Sequence, residues 1–131
     1  MTYLYIVAGA VAGAPLRYLL QVRLQELTTH GFPFGTLAVN LTGCLAIGLL
    51  VTLAEERDFL GRETRLLLLT GFLGSYTTFS AFGWDTYALL RDNEVLQAIG
   101  NVALSVAGGV LGVWVGVLIG KALSGSGPLW R

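Results

Sequence analysis

Long stretches of this 131-residue chain carry no charge, and their lengths constrain the fold more than any other feature. Leu27 to Ala54, Leu66 to Trp84 and Val95 to Gly120 contain no Asp, Glu, Lys or Arg, and Tyr3 to Leu20 contains only Arg17. A hydrocarbon core of about 30 Å is crossed by about 20 helical residues. Four spans therefore fit, at 3–24, 34–54, 65–90 and 95–121. In lipid only helices and closed barrels satisfy their own backbone groups, and four short spans cannot close a barrel. The reading is an all-α membrane protein, with residues 1–131 forming one four-helix transmembrane domain.

Composition agrees. Charged residues make up 12% of the chain and the formal net charge is zero, against about 25% charged residues in a soluble domain. That excludes a disordered segment, a basic nucleic-acid binder and a soluble enzyme with a solvated surface. The first span has no basic n-region and no Ala-x-Ala site, and Arg17 interrupts it, so it reads as retained rather than as a signal peptide. Cys44 lies inside the second span, away from any partner for a disulfide or metal. The Asn40-Leu41-Thr42 acceptor pattern is likewise inside that span and is set aside. There is no catalytic cluster, and His30 reads as an interfacial loop residue, so no enzyme is expected.

Arg57, Arg62, Arg65, Lys121 and Arg131 fall on one side of the spans, and Arg23 and Arg91 on the other. Five against two is a modest positive-inside bias. The 18 glycines follow helical spacing: Gly9 and Gly13 in the first span, Gly108, Gly112, Gly116 and Gly120 in the last. Small residues at a spacing of four let helices approach closely where hydrophobic exclusion supplies no drive. Four short helices enclose little, so a homo-oligomer is expected.

Thr36, Thr42 and Ser105 are expected to bond back to their own helices, as hydroxyls in membranes commonly do. Asn40 cannot satisfy its carboxamide that way, and becomes the leading candidate for lining a polar path. In the third span Gly71, Gly74, Thr77 and Thr78 are weak helix formers close together, which points to local unwinding at mid-membrane. Backbone unwound at that depth must be buried in protein or line a wet cavity. Phe79 and Phe82 follow the unwound stretch, interleaved with Ser80 and sharing a helical face with Ser75. Aromatic rings have positive edges, so edge-on rings can line a passage for a small anion. One intramembrane Arg with neutral donors deeper in suits anions better than cations.

These residues resemble the Fluc/CrcB family of fluoride ion channels over essentially the whole chain. The motifs are Gly13-Ala14-x-x-Arg17-Tyr18, then Pro33-x-Gly35-Thr36-Leu37-x-Val39-Asn40-x-x-Gly43, then Gly71-Phe72-Leu73-Gly74-x-x-Thr77-Thr78-Phe79-Ser80-x-Phe82. The resemblance implies an antiparallel homodimer with dual topology in the cell (inner or plasma) membrane. It implies passive, fluoride-selective conduction that exports cytoplasmic fluoride and lowers its toxic concentration. It assigns the fluoride path to Asn40, Phe79, Phe82, Ser80, Ser105 and Arg17. It also places one structural sodium ion (Na+) at the dimer centre, on the main-chain carbonyls of Gly74 and Thr77. Asp85 stands where the family usually has Glu, and Asn101 and Gly109 replace a Tyr and a hydroxyl residue common in its fourth span.

Two other readings compete. A small dual-topology, proton-coupled multidrug transporter also has four spans, but requires a membrane-embedded carboxylate, and the first span has none. A purely structural membrane protein would use the glycine ribbons for assembly alone.

Overall fold

The computed structural model describes residues 1–28, 31–56 and 60–125, so His30, Arg57, Asp58 and Arg131 fall outside the described residues. All regular structure among the described residues is helical. Four runs are long and apolar enough to cross a membrane: Thr2–Glu26, Phe34–Glu55, Arg62–Arg91 and Val95–Ser124. Helix α1 spans Thr2–Glu26 and contains Pro15. Helix α2 spans Phe34–Glu56. The third run is composite: α3 (Arg62–Arg65), a π-helical stretch Leu66–Leu73, α4 (Gly74–Tyr76) and α5 (Phe79–Arg91). Helix α6 spans Val95–Ser124.

Helix ends expose amides and carbonyls that must find partners. At the start of α2, Gly35 N–H donates to Gln25 Oε1 at 3.2 Å, and Gln25 Nε2 donates to Phe32 O at 3.0 Å. At its end, Arg65 donates to Ala54 O at 2.6 Å and to Leu60 O at 3.0 Å, placing a cation on the negative end of the helix dipole. Helix α5 closes on Asn93, whose φ of 61° is left-handed. Asn93 N–H then reaches Leu90 O (3.1 Å) and Glu94 N–H reaches Leu89 O (2.8 Å), the pairing of a Schellman motif.

The helices associate as two parallel pairs. Helix α1 lies along the third run, so that a methyl on Gly9 would meet Leu67 O and Phe72 N, and one on Gly71 would meet Ile6 O. Helix α6 lies along α2 in the same way, Gly108 opposite Leu41, Gly116 opposite Leu45 and Leu49, Gly120 opposite Thr52. The small core between the pairs holds Val39, Leu73 and Tyr76, with Phe72 stacked on Tyr76 at 5.9 Å between centroids. Many larger apolar side chains, Val11, Leu96 and Val110 among them, point outward from the bundle.

Between α4 and α5 the backbone is extended at Thr77 (φ −86°, ψ 158°) and Thr78 (φ −149°, ψ 114°). Gly74 keeps helical dihedrals (φ −63°, ψ −30°), so the departure falls on the two threonines rather than on the glycines before them. Branching at Cβ stiffens Thr and favours extended backbone, and a threonine hydroxyl can then cap the next helix. Thr78 Oγ1 does so, accepting from Ala81 N–H at 3.2 Å.

Four variants carry stability expectations. Gly116→Ala places a methyl against Leu45 O and 2.8 Å from Leu49 N, and should cost about 1–3 kcal/mol. At Gly112 the nearest atom to such a methyl is 3.4 Å away, so Gly112→Ala should change stability by less than about 1 kcal/mol. Thr78→Val deletes the α5 cap and should lose about 1 kcal/mol, which Thr78→Ser retains. Thermal unfolding of the purified protein in detergent measures all four.

Candidate functional site

The extended residues leave backbone groups in need of new partners, and α2 supplies one. Asn40 Nδ2 donates to Thr78 O at 2.9 Å, and Asn40 Oδ1 accepts from Thr78 N–H at 2.8 Å. In an unbroken helix the Thr78 amide would go to Gly74 O and the Ala81 amide to Thr77 O. Here the first serves Asn40 and the second serves the Thr78 hydroxyl. The Gly74 and Thr77 carbonyls are therefore among those that lose their helical amides at the extended residues. A methyl on Gly74 would meet nothing nearer than 3.8 Å, so space remains beside it. Oxygen donors of this kind fit a hard cation such as sodium.

A cavity of about 390 Å³ opens beside this segment. Its lining brings together Asn40 from α2, Gly74, Thr77 and Thr78 around the extended backbone, Phe79 and Phe82 from α5, and Ser105 from α6. Phe79 and Phe82 face each other at 5.4 Å with an interplanar angle of 45°, and Phe79 is 83% exposed. The remaining wall is apolar apart from Cys44, with Ile47, Leu69, Leu73 and Val106. Among the described residues no carboxylate lines this cavity. Ser105 Oγ is buried and has no hydrogen-bond partner among the described residues. The back-bond expected for Ser105 does not form, and its hydroxyl keeps both its donor and its acceptor capacity.

Two of the nominated residues lie outside the lining. Ser80 is one step removed, its Oγ 3.2 Å from Thr78 Oγ1. Arg17 sits half-buried on α1. Ser75 does not share the Phe79 and Phe82 face: its hydroxyl turns to Phe72 O at 3.0 Å, beside Gly13 of α1. Two extended residues between Ser75 and Phe79 cancel the helical register on which that expectation rested.

Other polar contacts were not legible in the sequence. Thr36 Oγ1 accepts from Gln21 Nε2 at 3.1 Å, across to α1. Thr42 does bond back, to Ala38 O at 2.8 Å, but it also meets the Tyr76 hydroxyl at 2.8 Å. Asn101, 1% exposed, donates to Thr86 Oγ1 at 2.9 Å and ties α6 to α5. A second cavity of about 330 Å³ is lined by Gln21, Gln25, Thr36 and Asp85 among others, and Asp85 Oδ2 is buried there without a partner among the described residues.

Comparison with known proteins follows the same lines. Residues 4–117 match the family described as CrcB-like protein, Camphor Resistance (CrcB). A protein of Chloroflexus aurantiacus named "Fluoride-specific ion channel FluC" is 43% identical over 122 residues, 93% of this chain and 97% of that relative. A protein of the same name from Solibacter usitatus is 44% identical over 92% of this chain and 99% of its own. Another from Geobacter sulfurreducens is 41% identical over 93% and 98%. With four membrane-capable helices and these relatives, the chain is a multi-pass membrane protein, and it belongs to the CrcB family.

Proposed function

We propose that this protein is a passive, fluoride-selective channel that lets cytoplasmic fluoride leave the cell and so lowers its toxic concentration. The observation that carries the reading is the cavity at Thr77–Thr78, where neutral donors and two phenylalanine rings converge, with no carboxylate among the described residues that line it. The names of the relatives support the ion. Fluoride is small and tightly hydrated, so a path for it must offer many close donors in place of water. It must also bind weakly enough for the ion to leave. Asn40, Ser105, Ser80 and the ring edges of Phe79 and Phe82 supply such donors, and Arg17 supplies attraction near the aqueous mouth. A membrane potential drives the anion outward at about 2.3 kcal/mol per charge per 100 mV.

The working unit in this reading is an antiparallel homodimer in the inner or plasma membrane. Its support is the large exposed apolar surface, the exposed Phe79 ring beside an open cavity, and a charge bias small enough for insertion in both orientations. Gly74 and Thr77 would hold a structural sodium ion through their carbonyls, which are among those that lose their helical amides at the extended residues. When bound, sodium supplies a fixed positive charge that secures the extended backbone. Proton-coupled drug exchange gains no support from the relatives, which are named fluoride-specific ion channels, and among the described residues the one carboxylate lining a cavity, Asp85, belongs to the second cavity.

The test is fluoride efflux from proteoliposomes, read with an ion-selective electrode. The unaltered protein should empty the vesicles of fluoride, Phe82→Ile and Asn40→Asp should abolish efflux while the dimer persists, and Ser105→Ala should slow it roughly tenfold. Normal efflux from purified dimers of Phe82→Ile or Asn40→Asp would show that the path has been misplaced.

A further inference from the structure

We infer that Asn40 acts as a positioning residue, its carboxamide standing in for the lost helical rung at Thr78 and so aiming α5 at the cavity. This deepens the channel reading and rests on it. Both hydrogen bonds run between one side chain and the backbone of one residue, at 2.9 Å and 2.8 Å. Their pairing is that of a β-ladder rung, oxygen to N–H and N–H to oxygen, which fixes which way the carboxamide faces. Oδ1 is committed to the Thr78 amide, and one Nδ2 hydrogen to the Thr78 carbonyl. One N–H is left, and its direction is set by the other two bonds.

The consequence extends along the chain. Thr78 caps α5 through Ala81 N–H, and Phe79 and Phe82 follow within the first turn of that helix. A shift of the Thr78 backbone therefore moves both rings and the free Asn40 N–H together. On the other side of the extended residues, Tyr76 is tied to the same helix α2 through Thr42, at 2.8 Å. Helix α2 thus grips the third run on both sides of its extended residues, and Asn40 is the grip on the α5 side.

The experiment replaces the Thr78 amide with an ester in the full-length protein, which deletes one N–H, makes the Thr77 carbonyl a weaker acceptor and leaves every side chain in place; the hydrogen-exchange measurement below, made without that change, separates the two effects. We expect fluoride efflux to fall about tenfold with the melting temperature held within a few degrees. The ¹⁹F resonance of 4-fluorophenylalanine placed at Phe79 should shift even with no fluoride present. Unchanged efflux with an unshifted resonance overturns the inference. So does lost efflux with an unshifted resonance, which would leave Asn40 a direct contact to the ion and nothing more. Amide hydrogen exchange in the unmodified protein reads the same grip without a variant: Thr78 N–H should be strongly protected, and exchange at the rate of a free amide overturns the inference. Resonance and exchange need no ion flux, so an unaltered protein that carries no fluoride would refute the channel reading while these two measurements still decide the grip.

Discussion

Backbone amides and carbonyls inside a bilayer have no water to turn to, and every other feature of this protein follows from how it meets that requirement. Along most of the chain the answer is an unbroken helix. At Thr77 and Thr78 it is not, and the structure meets the requirement through a side chain of another helix, Asn40. An interruption held by a two-point hydrogen bond is a stable way to keep polar backbone beside a cavity. The same interruption diverts the amides that Gly74 and Thr77 would otherwise receive.

Close helix packing makes that arrangement possible. Asn40 reaches Thr78 only because its helix lies near the third run, and nearby on α2 a methyl on Gly43 would collide with Thr77. The parallel pairing of α1 with the third run and of α2 with α6 is set by glycines that bring backbone against backbone. Glycine here serves distance, and the hydroxyl and amide groups serve orientation. That division of labour explains how a chain with 12% charged residues can shape a polar site.

Much of this was legible in the sequence. Charge-free runs placed the spans, because charge at the centre of a helix in lipid is costly whatever the fold. The glycine ribbons announced tight packing, and a mid-span Asn announced a polar neighbour. The identity of that neighbour was hidden: Asn40 and Thr78 are 38 residues apart, and no local pattern links them. Ser75 was misjudged for a related reason, since helical spacing counts faces correctly only while the helix continues. Thr36 with Gln21 and Asn101 with Thr86 belong to the same class, pairs between helices that depend on rotation about each axis rather than on residue type.

The proposed path, made of neutral donors with Arg17 as its one nominated charge, should discriminate by how well it replaces the water of one small anion. The most direct measurement is the reversal potential of a planar bilayer containing the purified protein, under opposed gradients of fluoride and chloride. The account predicts a potential that sits at the fluoride equilibrium value and ignores the chloride and cation gradients. A potential that follows chloride, sodium or protons would contradict it.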